Sequence, residues 1–150
     1  MGEKGKQACA LFRKGYSCAQ AVLIAFCEEI GLDEHTAALL SSSFGGGMGR
    51  LREVCGAFSA AIMILGMKNG SADPEDEVGK ARQYGEIQQL AIQFRQENGS
   101  LICRELLADV PVTAGSVPQV RNEAYYQQRP CEAIVGRTAE MIESYLEGIQ

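Results

Sequence analysis

The sequence predicts an all-α fold: a single compact bundle of six to seven helices, two of them buried at its centre. Three observations predict it. Apolar residues recur at helical spacing along most of the chain. Cap residues, glycines and prolines punctuate it at helix-length intervals, and no apolar–polar alternation marks a strand. With 150 residues, 46% of them hydrophobic and 22% charged, residues 1–150 read as one domain large enough to enclose one core.

Residues 3–14 carry Ala8, Leu11 and Phe12 at i, i+3, i+4 spacing, a short amphipathic helix that Gly15 ends. Ser17 caps a second helix, Cys18 to Ile30, whose interior is almost continuously apolar and therefore central. Asp33 caps a third, 34–44, which runs into Gly45, Gly46, Gly47 and Gly49. The fourth, 53–67, is apolar on every side after Cys55 and is the other central helix. Asp73-Pro74 opens a fifth, where Glu75, Asp76 and Glu77 suit the positive end of the dipole, and Asn98-Gly99 ends it. Ser100 caps a sixth, 101–108. The connection holding Pro111, Gly115 and Pro118 reads as extended, with a turn of helix near 119–127. Pro130 opens the last helix at its first position, with Ala133, Ile134, Ala139, Ile142 and Leu146 on its core face.

Composition excludes several partners. A net charge of −5 with scattered Lys and Arg disfavours nucleic acid and anionic membrane surfaces. The longest apolar run stops at Lys68, too short to span a bilayer, and residues 1–12 lack a signal-peptide core. A cytoplasmic protein is expected, and buried apolar helices are compatible with a homodimer.

Six cysteines in a reducing compartment point to metal, redox or catalytic use before a disulfide framework. Cys18, Cys55, Cys103 and Cys131 each fall in the first turn of an expected helix, where free N–H groups and the dipole favour a thiolate. Such positions lower a thiol below its ordinary value of about 8.5. Cys9 and Cys27 sit among apolar neighbours inside helices and read as packing. There is no C-x-x-C, and the intervals between the four match no zinc or iron–sulfur pattern, so only the fold could assemble a site.

The stretches GYSCAQAVLIAF, FGGGMGRLREVCGAFSA, SLICRELL and PCEAIV resemble the C_GCAxxG_C_C family of redox-active proteins over roughly residues 8–140. By that resemblance the family's cysteines are Cys18, Cys55, Cys103 and Cys131, and its CGAxxG element starts at Cys55-Gly56-Ala57 but ends on Ala60 instead of glycine. The resemblance implies redox chemistry without naming a substrate, and a functional link to a transporter.

Other motifs carry less. Gly45–Arg50 lacks the Lys-Ser/Thr of a phosphate loop and has Arg50 where a dinucleotide loop needs glycine, so it reads as a tight turn. Arg50 and Arg52 are either solvated or aids to a Cys55 thiolate. His35 reads as solvent-facing, and Tyr125-Tyr126 anchor the long connection or wall a cleft.

The leading expectation is a thiol-based redox protein working with a redox partner. Cys55 is its reactive thiolate, Cys18 the nearest partner of Cys55, and Cys103 and Cys131 a second pair; no cofactor is required. The alternative is a module in which Cys18, Cys55, Cys103 and Cys131 ligate zinc or an iron–sulfur cluster. A third is a structural helical interaction protein.

Overall fold

Two helices that are apolar all round have to lie in the middle, and they do. The computed structural model describes residues 2–148, in which eight α-helices occur, six of them of seven residues or more, with no strand. Helices α2 (Cys18–Ala25) and α4 (Gly56–Asn69) pack side by side at the centre. Ala21, Val22, Leu23, Ala57, Ala61 and Ile64 are all fully buried. Around this pair lie α1 (Glu3–Arg13) and α8 (Cys131–Gly148), which run along each other, with α3 (Glu34–Ser41) against α2 and α5 (Glu77–Asn98) against α4. Two short helices, α6 (Cys103–Leu106) and α7 (Glu123–Gln128), complete the set.

Several expected boundaries shift, each for a local reason. The second helix stops at Ala25, not Ile30: Phe26 and Cys27 donate to Leu23 and Ile24, tightening the chain into turns that end at Gly31 with φ +73°. The third ends at Ser41 and closes with a 3-10 turn, Ser42–Phe44. The fifth starts at Glu77, because Asp76 and not Asp73 caps it by accepting from the Gly79 N–H at 2.9 Å. Asp73 instead closes a tight turn by accepting from the Glu75 N–H at 2.9 Å. The sixth shrinks to Cys103–Leu106, since Leu101 and Ile102 are taken up by backbone pairing with residues 53–55. Pro130 precedes α8, its carbonyl accepting from the Ile134 N–H, so Cys131 is the first helical residue. On α8, Ile134, Ala139 and Ile142 are buried as expected, Leu146 half-buried and Ala133 exposed.

The approach of α4 to α2 rests on one missing side chain. A Cβ at Gly56 would stand 2.9 Å from the Phe44 carbonyl oxygen and 3.2 Å from the Ala19 Cβ. Gly56→Ala therefore overpacks the centre and should cost about 1–3 kcal/mol in denaturant unfolding. Gly85→Ala, in the exposed middle of α5 with nothing near its would-be Cβ, should stabilise by about 0.5–1 kcal/mol. Equal effects of the two substitutions would refute the close-approach account.

Candidate functional site

The four thiols reach one place from four directions. Cys18 opens α2 behind its cap, where Ser17 and Gln20 bond reciprocally: the Gln20 N–H donates to Ser17 Oγ at 3.3 Å and the Ser17 N–H to Gln20 Oε1 at 3.1 Å. Cys131 opens α8 and Cys103 opens the single turn of α6. Cys55 differs from expectation: it is the residue before α4, not part of its first turn. Its N–H donates to the Leu101 carbonyl at 2.7 Å, while the Cys103 N–H donates to the Glu53 carbonyl at 2.6 Å. This antiparallel bridge, centred on Val54 and Ile102, sets Cys55 opposite Leu101 and Cys103 opposite Glu53, and both cysteines line the same cavity.

The loop before Cys55 makes room for them. Gly46, Gly47, Met48, Gly49 and Arg50 all have φ between +60° and +71°, a run of left-handed backbone that L residues avoid. Gly47 packs so closely on Cys103 that a Cβ there would lie 2.6 Å from the Cys103 Cβ. Cys18, Cys55, Cys103 and Cys131 line a cavity of about 30 Å³, together with Gly46, Gly47, Gly56 and three apolar side chains. That is room for one or two waters and no more. As residues Cys55 and Cys103 are buried and Cys18 and Cys131 half-buried, but burial penalises the thiolate at all four sulfurs.

Electrostatics sort the four. The Cys18 thiol hydrogen-bonds to the Cys131 sulfur, which lowers Cys131 to about 7 against the penalty of burial, helped by the charges of Arg129 and Arg121. The same bond, with burial, pushes Cys18 well up. Burial drives Cys55 up to about 12, only partly opposed by the Ala57 and Phe58 N–H groups. Burial also raises Cys103, opposed by Arg52, whose Nη1 lies 3.8 Å from its sulfur. Cys131 is thus the one thiol of the four that is lowered, and the Arg52 guanidinium meets the Cys103 sulfur. All four are free thiols. Among the described residues no group of three or more His, Cys, Asp or Glu is arranged to hold a metal ion.

Beside the thiol cavity opens a cleft of about 390 Å³ that shares Gly46 with it and is lined by Arg50, Arg52, Arg121, Arg129 and Tyr125. Sequence reasoning missed this. The arginines that look scattered along the chain are brought together, and Tyr125 walls the cleft while Tyr126 packs edge-on against Phe12. The sequence signals are Arg50 and Arg52 close before Cys55 and Arg129 two residues before Cys131; nothing marks Arg121. Of the remaining residues, His35 is exposed, Cys27 is buried in the core, and the Cys9 thiol donates to the Glu132 carbonyl at 3.5 Å.

Residues 16–145 match the model of a family described as "Putative redox-active protein (C_GCAxxG_C_C)". No curated protein and no solved structure matches the chain. No described helix is long and apolar enough to cross a membrane.

Alkylation by iodoacetamide should follow this order of acidity. Cys131 should react first, its rate rising with pH through a midpoint near 7, because the reactive thiolate is lost below that value. Cys55 should stay unmodified in the folded protein up to pH values far above neutrality. Cys18→Ala removes the donor to Cys131 and should move the midpoint upward. A midpoint unmoved by that change would remove Cys18 as the cause.

Proposed function

The chain belongs to the C_GCAxxG_C_C family of redox-active proteins, and from that premise we propose that it is a dithiol–disulfide exchange protein in which Cys131 is the attacking thiolate and Cys18 the resolving thiol. The Cys131 thiolate attacks one sulfur of a disulfide substrate; the substrate S–S bond breaks, a mixed disulfide forms and the first half leaves as a thiolate. Cys18 then gives up its proton and attacks the Cys131 sulfur, closing a Cys18–Cys131 disulfide and releasing the second half. The protein dithiol is oxidised by two electrons and the substrate is reduced to two sulfur leaving groups: one takes the Cys18 proton, and the other leaves as a thiolate that takes its proton from water, to which Cys131 had lost its own.

The observation that carries this reading is the single cavity that the four thiols line, in which the interaction with Cys18 lowers Cys131 while Cys18 itself is raised. A thiol near the ambient pH balances thiolate fraction against nucleophilicity. Cys55 and Cys103, both raised by burial, stand as the second pair. The metal alternative has one supporting feature, the shared cavity. An iron–sulfur cluster requires far more space than one or two waters occupy.

Mild oxidation of the reduced protein should yield one disulfide, located by peptide mapping between Cys18 and Cys131 and absent in both Cys18→Ser and Cys131→Ser. Cys55→Ser should keep it. Six thiols still titratable after oxidation would sink the exchange reading, and a stoichiometric metal that retains all four cysteines after anaerobic purification would replace it.

A further inference from the structure

The protein carries a net charge of −5, yet the cleft beside the thiols is lined by four arginines and no carboxylate. Each guanidinium is held by neutral acceptors. Arg50 donates to the Gly115 carbonyl at 2.6 Å and to Thr113, and Arg121 to the Phe12 and Tyr16 carbonyls at 2.7 and 3.0 Å. Arg129 donates to Gln119 Oε1 at 2.5 Å, while its Nε is buried without a well-formed hydrogen bond. None of the four has an ion-pair partner among the described residues, whereas Arg13 and Arg104 elsewhere each meet a glutamate. Arg50 is lowered by burial and then by repulsion from Arg52 and Arg129. Four positive charges that repel one another, held in fixed geometry largely by backbone carbonyls, with no carboxylate partner and only the Cys131 thiolate to offset them, form a receptor for an anion.

Position narrows the class of that anion. The cleft shares Gly46 with the thiol cavity, Arg52 reaches the Cys103 sulfur, and Arg129 stands beside Cys131. Its 390 Å³ suits a small organic molecule. We propose that this four-arginine cleft receives the carboxylates of a small acidic disulfide and presents its sulfur–sulfur bond to the thiol cavity. The inference rests on the exchange reading above and names its substrate class. The reaction balances as before: the protein dithiol becomes a disulfide and the acidic disulfide becomes two thiols that keep their carboxylates.

The reduced protein is mixed at low salt with three disulfides: glutathione disulfide (acidic), hydroxyethyl disulfide (neutral) and cystamine (cationic). The acidic one should react about tenfold or more faster than the neutral one and the cationic one slowest, with the spread shrinking as salt is added. Arg50→Gln should narrow the ratio of acidic to neutral rates. Separately, S-methylglutathione, which cannot exchange, should bind the reduced protein in calorimetry, and inorganic phosphate should compete. Equal rates for the three disulfides would overturn the substrate class while leaving the exchange chemistry standing. Binding of S-methylglutathione with no exchange toward any disulfide would overturn the exchange reading and leave the anion cleft. Binding of phosphate but not of S-methylglutathione would overturn the carboxylate assignment.

Discussion

The site depends on a pair of backbone hydrogen bonds: Cys55 N–H to the Leu101 carbonyl and Cys103 N–H to the Glu53 carbonyl. They join segments almost fifty residues apart into one antiparallel bridge and bring the starts of α4 and α6, with their two thiols, to the same cavity. Everything else converges on that bridge. Gly56, immediately after Cys55, lets α4 approach α2 and thereby places Cys55 near Cys18. Gly47 lets the loop lie against Cys103. The cap at Ser17 and the start of α8 at Cys131 then aim the remaining two thiols into the same small space.

The loop that makes this possible is costly. Met48, Arg50 and Arg52 adopt left-handed φ values, which cost a non-glycine residue of order 1–3 kcal/mol each. The surrounding structure holds them there. The Arg50 N–H donates to the Gly45 carbonyl, the Arg52 N–H to Gly46, and the Arg50 guanidinium ties the loop to Thr113 and Gly115 in the long connection. Strain maintained by such over-determination collects where a fold presents chemistry. It also gives the segment 109–122, without regular secondary structure, a role: its carbonyls fix the arginine that faces the cleft.

Much of the fold was legible in the sequence because burial and periodicity are local signals. The two central helices followed from their all-round apolar character, and the turns at Gly15, Gly31 and Gly99 from residues suited to positive φ. Boundaries slipped where a long-range bond competed with a local cap. By local pattern Ser100 caps a helix, yet its Oγ accepts from the Ile102 N–H within a turn while residues 101–103 pair with residues 53–55. The four cysteines could be picked out from helix-start placement, but their ranking could not. Acidity follows the balance between burial and the sulfur and arginine neighbours that each thiol meets, which exist only after folding. The arginine cleft was illegible for the same reason, since Arg50, Arg52, Arg121 and Arg129 share no periodicity.

Four chemically identical side chains in one cavity come to differ through two opposed effects. A thiolate deep in apolar surroundings loses its hydration, so Cys55 holds its proton to about 12 despite two backbone N–H groups directed at it. At Cys131 a neighbouring thiol donor and the arginines of the cleft replace that hydration, and the balance reverses. Position at a helix start is therefore insufficient to acidify a cysteine: Cys18 stands at N1 of a well-capped helix and is nonetheless raised, because it is the donor of the bond that stabilises its neighbour. One hydrogen bond thus creates a nucleophile and the thiol that stands ready to resolve it. The positive cleft that sustains the nucleophile's charge is also the surface that an incoming substrate must meet.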